Sequence, residues 1–206
     1  MNLLKKVINP ILRIILFLIA LDLIYNQDFL FAFATLIALM LSLVPVFIER
    51  SYKITFPWIL EFLIVIVLVL HIVGEYYSLY TKIFFFSSMM HYLGTAIIAF
   101  LSYIIIYTLN LTKEVKLSPF MIGLFTIVFA LALGAVWEIG EFASDTYFGT
   151  HDQGDGRDPL IDTMYDLIWD GVAGLFIAIV GAAWLEGYPE IVNSFKKLIK
   201  KIEKRK

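Results

Sequence analysis

Six times along this chain, a run of about twenty predominantly apolar residues, long enough to cross a hydrocarbon core as a helix, is set off by more polar residues. The runs fall at about residues 7–25, 29–48, 55–73, 85–109, 119–142 and 162–184. Inside lipid, every backbone N–H and C=O must be satisfied within the chain, and a single apolar segment does this only as a helix. The pattern predicts an all-α polytopic membrane protein. Residues 1–188 would form a bundle of six transmembrane helices, and residues 189–206 a basic tail. Composition agrees: 61% of residues are hydrophobic and 17% charged, with a mean hydropathy of +0.86, values outside the range of ordinary soluble domains. There is no cysteine, which excludes disulfides and thiolate metal sites. Lys5 and Lys6 precede the first run as they would in a signal peptide. No small-x-small cleavage site follows in residues 19–25, so that run is expected to be an uncleaved span.

Polar punctuation supports the same division. Pro57 and Pro119 each fall in the first turn of a helix, where a missing N–H is tolerated. Tyr76, Tyr77 and Tyr80 mark an interfacial connection over 74–82. With six spans, both termini share one side of the membrane. Fourteen of the sixteen Lys and Arg residues fall on that side, and Lys82 and Arg157 fall on the other. The positive-inside rule then predicts a multi-pass protein of the cell membrane with both termini cytoplasmic. The tail places Ile191, Phe195, Leu198 and Ile202 on one helical face and lysines on the other. It reads as an amphipathic helix on the anionic inner leaflet, with membrane lipids as partners, or as a solvated charged tail. Nothing points to nucleic acid.

Charges that remain inside the apolar runs gather at one depth. Helix three exits outward carrying His71 and Glu75, four residues apart. Helix four enters from outside with His91, followed by Gly94. Helix five exits with Glu138, Glu141 and Asp145 on one stripe, and helix six enters with Asp162, Asp166 and Asp170 at four-residue intervals. Intramembrane charges are costly and face a bundle interior or a wet cavity. Carboxylates crowded together also repel one another, and a divalent cation resolves both difficulties; oxygen-rich sites with one or two imidazoles suit magnesium, manganese, calcium or zinc. His91, Glu138, Asp166 and Asp170 are the expected metal ligands, with Glu141 or His71 as acid or base. The competing reading is that outer-end carboxylates are simply solvated at the interface. Off this cluster, Asp22 reads as snorkelling outward, Glu49 as snorkelling inward, and Glu61 as a structural hydrogen bond or helix-start charge.

Between helices five and six, an acidic loop is expected over 143–161. Its stretch His151 to Asp158 alternates Asp and Gly like calcium loops but does not fit the EF-hand offsets. Arg157 would pair with neighbouring carboxylates or contact a phosphate. No HExxH motif, Ser-His-Asp arrangement or phosphate-cradling glycine loop occurs, and the loop is expected to cover the site.

The series His71-x-x-Gly74-x-Tyr76-Tyr77, His91, Glu138-x-x-Glu141-Phe142, Asp145, Phe148-Gly149-Thr150, Asp158-Pro159 and Asp162-Thr163-x-x-Asp166 resembles the YjdF-like inner-membrane protein family. That family is a bacterial and archaeal domain of unknown function, and the resemblance runs from His71 to Gly174. The connection between Thr150 and Asp158 is longer here, and one extra residue lies between Pro159 and Asp162. Asp166-x-x-x-Asp170-Gly171-x-x-Gly174 is similar, more faintly, to VanZ-like membrane proteins. The resemblance implies membrane location and no particular reaction. The residues themselves suggest a metal-dependent hydrolase or transferase acting on a lipid-like substrate at the outer leaflet. A cation- or proton-coupled transporter and a structural or accessory subunit are the alternatives. The scarcity of polar residues in the inner halves of the helices weighs against a transport path.

Overall fold

The structure, a computed structural model, describes residues 3–56, 58–112, 115–154 and 158–203. Pro57, Lys113 and the loop residues 155–157, with Arg157 among them, lie outside the described residues. The described residues form eight helices: α1 (Leu3–Tyr25), α2 (Phe29–Tyr52), α3 (Trp58–Tyr76), α4 (Leu79–Lys82), α5 (Phe86–Leu111), α6 (Pro119–Phe148), α7 (Pro159–Gly187) and α8 (Pro189–Glu203). Six of them (α1, α2, α3, α5, α6 and α7) are long and apolar enough to cross a membrane, so the expected all-α fold is observed.

The chain packs as two compact units, the first comprising Met1–Leu79 with Lys197–Lys206 and the second Tyr80–Lys196. In the first, α1, α2 and α3 pack on one another around Leu16, Ala38, Val65, Val69 and Ile72. A polar pin crosses this apolar interior. The Arg13 guanidinium donates to Glu61 Oε1 at 2.8 Å and to the Ser42 carbonyl at 2.7 Å. Glu61, expected to be structural, is therefore the buried half of an ion pair. The other two charges set apart in the sequence are also held by the protein. Asp22 accepts from the Tyr76 hydroxyl at 2.7 Å and from Asn26 Nδ2 at 3.0 Å. Glu49 accepts from the Phe56 backbone N–H at 2.6 Å. Asp28 caps α2 by accepting from Phe31 N–H.

In the second unit, α5, α6 and α7 pack pairwise against one another. Small residues let the helices approach closely. At Gly174 of α7, a Cβ would stand 2.9 Å from the Ala130 Cβ of α6. Local signals fix the helix ends. Ser118 accepts from Met121 N–H ahead of Pro119, and Asp158 accepts from Leu160 and Ile161 N–H ahead of Pro159, each proline taking the first helical position. Gly149, at φ 68°, closes α6 in the left-handed region, with its N–H on the Asp145 carbonyl.

These caps correct the expected loop. Its boundaries at 143 and 161 followed the loss of hydrophobicity, but α6 continues to Phe148 and α7 begins at Pro159. Asp145 thus belongs to a helix, and Asp158, rather than Asp162, opens α7. The tail is helical as expected, but Ile191, Val192 and Phe195 are buried within the protein. Only the later part of its apolar stripe, at Ile202, is exposed.

Candidate metal centre

Three helices of the second unit deliver one side-chain cluster. On α5, Ser87, His91 and Thr95 recur at four-residue intervals and share a face. On α6, Gly134 and Glu138 do the same. On α7, Asp162, Asp166 and Asp170 form a stripe just over two turns long, and all three are buried. His91 stands at the centre. Its Nε2 lies 3.5 Å from Glu138 Oε1 and 3.6 Å from Asp166 Oδ2, and its Nδ1 lies 3.5 Å from Asp170 Oδ1. These separations lie at or just beyond the outer limit of hydrogen bonding and are short enough for a strong mutual field.

The two aspartates differ in their support. Asp170 Oδ1 accepts from the Thr95 hydroxyl at 2.5 Å. Its other oxygen presses on α6 at Gly134, where a Cβ would collide with the carboxylate. Asp166 Oδ2 accepts from the Ser87 hydroxyl at 3.1 Å. Glu141, one turn beyond Glu138, accepts from the Trp137 indole N–H at 2.8 Å. Trp137 itself is 48% exposed on the apolar flank of α6, so the cluster reaches that flank at Glu141.

Within this cluster, four buried carboxylate oxygens lack a hydrogen-bond partner of good geometry among the described residues: both of Glu138, which the Thr163 hydroxyl nonetheless approaches, Oδ1 of Asp166 and Oδ2 of Asp170. An unsatisfied buried polar atom costs about 1–3 kcal/mol, and more when charged. Four of them approach the whole stability of a typical domain, on the order of 5–15 kcal/mol. In the Arg13–Glu61 pin of the first unit a guanidinium answers one carboxylate oxygen of Glu61. An arrangement of carboxylate and imidazole donors with oxygens left over is one that could hold a cation. One nitrogen of His91 and one oxygen each of Glu138 and Glu141 lie within 4.8 Å of one another, a spacing that one ion can bridge.

All four side chains expected as ligands (His91, Glu138, Asp166 and Asp170) meet here. Glu141, expected as the spare acid or base, stands in the group spaced for an ion. His71 lies on α3 of the first unit, whereas this cluster is built by the second unit alone. Sequence reading did not single out Ser87, Thr95 and Gly134. Their signal was present as four-residue spacing from His91 and Glu138, but lone hydroxyls and a glycine in a helix do not stand out without a partner helix.

Above the cluster, the connection from α6 to α7 is organised by Asp145. Its Oδ1 accepts from the Thr150 hydroxyl and the Asp152 N–H, both at 2.7 Å, and its Oδ2 from the Gln153 N–H at 3.0 Å. The Gln153 side chain donates to Thr163 Oγ1 at 3.0 Å. Thr163 is one turn before Asp166, so the described part of the loop is tied to the helix that carries the aspartates.

No solved structure matches this chain. A relative from Thermotoga maritima, itself an uncharacterized protein, is 33% identical over 101 residues, which is 48% of this chain and 48% of the relative. The similarity thus spans about half the length of that protein. A wider match covers residues 8–187 with the family described as "Predicted membrane protein (DUF2238)"; the chain belongs to this family of membrane proteins.

Proposed function

We propose that this membrane protein holds a divalent cation between α5, α6 and α7, and uses it for hydrolysis or group transfer on a lipid-like substrate at the outer leaflet of the cell membrane. One observation carries the reading: a half-buried histidine ringed by carboxylates from two other helices, with four of their oxygens lacking a hydrogen-bond partner of good geometry. When bound, the cation would polarise a substrate oxygen and activate water. The residues would hold the ion and orient the substrate, with Glu141 at the half-buried edge placed to move a proton. The charge asymmetry of the loops favours cytoplasmic termini, which sets the α6–α7 connection and this cluster toward the outside. Glu138 lies ten residues before the end of α6, about 15 Å along the axis, a depth that an amphiphile's headgroup region reaches from the side. The exposed Trp137 beside Glu141 fits such lateral access. The likeness to the YjdF-like family is consistent with this placement and adds no reaction.

Elemental analysis of the purified protein tests the reading. One equivalent of divalent metal is expected, with loss in Glu138→Ala and weaker retention in Asp166→Ala. A metal-free wild type, or a Glu138→Ala variant that keeps full metal, would sink it. Gradient-coupled cation flux in proteoliposomes without hydrolysis of lipid substrates would favour transport instead.

A further inference from the structure

We infer that the ion at this site is a first-row transition cation bound through His91 Nε2 together with Glu138 and Glu141, and that Asp170 is a positioning residue for the His91 ring rather than a ligand. The inference rests on the cation reading above and divides the cluster by the two faces of the imidazole. On the Nε2 side stand Glu138, with both oxygens lacking a hydrogen-bond partner of good geometry, and Asp166, with one. Glu141 completes, with His91 and Glu138, the group that one ion can span.

The Nδ1 side is closed. Asp170 Oδ1 is already occupied by the Thr95 hydroxyl while facing Nδ1 at 3.5 Å. Asp170 Oδ2 is pressed against the Gly134 backbone, in a space that would not hold even a methyl group. Asp170 is fully buried. A carboxylate held this way cannot turn toward an ion on the far side of the ring. It is well placed to receive an Nδ1 proton, which leaves the Nε2 lone pair for a metal. Metal-bound histidines ordinarily donate their other ring N–H to a carboxylate, a backbone carbonyl or water, and Asp170 fills that place here. A preset nitrogen donor also separates classes of cation. Calcium and magnesium take oxygen ligands, whereas imidazole with carboxylate suits zinc, iron or manganese, and the chain has no cysteine to draw softer ions.

Cobalt(II) is a visible-light probe for this class. Metal-stripped full-length protein in detergent is titrated with Co²⁺, with and without a hundredfold excess of Mg²⁺ or Ca²⁺. One Co²⁺ should bind and resist both competitors. Asp170→Asn should still bind one Co²⁺, about 10- to 100-fold more weakly and with a shifted absorption band, while Glu138→Gln should lose binding. Gly134→Ala, which displaces Asp170, and Thr95→Val should weaken Co²⁺ in the same direction, and these two decide the matter if Asp170→Asn fails to fold. Complete loss in Asp170→Asn with the fold intact would make Asp170 a ligand. Unchanged affinity in the folded variants would remove its positioning role, and displacement by equimolar Mg²⁺ or Ca²⁺ would overturn the transition-metal assignment. A wild type that binds none of the three ions would instead remove the underlying cation reading.

Discussion

At the level of single residues, the two polar centres of this protein obey opposite rules. Arg13 and Glu61 answer each other inside an apolar unit. Removing one partner strands a charge, which costs about 3–5 kcal/mol, whereas replacing both with apolar residues of similar volume is often neutral. Glu61→Leu alone should therefore lower thermal stability in detergent sharply, and adding Arg13→Met should restore most of it. A double-mutant cycle measures this, and additive losses would contradict a coupled pair. Gly134 makes a second residue-scale case. Gly134→Ala puts a methyl group on the Asp170 carboxylate and should destabilise by about 1–3 kcal/mol through overpacking. Gly140, two turns along the same helix, meets nothing within 4 Å. Gly140→Ala should be neutral or stabilise by up to about 1 kcal/mol, so melting curves of the two variants separate local crowding from helix propensity.

At the level of elements, what the sequence made legible was periodic and what it hid was relational. The six spans and the stripes of carboxylates follow from helical spacing along one segment. The partner of Asp170 is a threonine on α5, seventy-five positions away, and no pattern within either helix names it. The helix ends were misplaced for a related reason. Hydrophobicity fades near residue 142, but the terminating signals are the left-handed Gly149 and the Asp158-Pro159 cap. The amphipathic tail was legible as a helix, yet sequence periodicity does not tell whether lipid or protein covers its apolar face. The α6–α7 connection offers a prediction at this scale. Asp145 receives three hydrogen bonds from the segment 150–153. Asp145→Ala should free that segment, raising hydrogen exchange and protease cleavage there several-fold while the helices stay protected. Unchanged exchange would show that Asp145 does not organise the connection.

At the level of the whole molecule, six helices suited to crossing a membrane and a natural absence of cysteine make orientation directly measurable. His151, an exposed residue of the α6–α7 connection, and Lys116, an exposed residue between α5 and α6, should lie on opposite sides. In intact cells, a membrane-impermeant thiol reagent should label His151→Cys, and it should label Lys116→Cys only after permeabilisation. The reverse pattern would invert the proposed topology and move the candidate metal centre to the cytoplasmic leaflet.

The Arg13–Glu61 pin also bears on how the protein is made. Arg13 enters the bilayer with α1 before its partner has been synthesised, and a lone arginine or acidic residue at a helix centre opposes insertion by about 2.5–3.5 kcal/mol. Each of these two segments is less suited to the membrane alone than its apolar residues suggest, and the deficit is relieved first in part by Ser42 of α2 and then by Glu61 when α3 arrives beside α1. Biogenesis of the first unit is therefore cooperative across about fifty residues of nascent chain. A ribosome stalled before α3 would leave α1 as its least securely inserted segment.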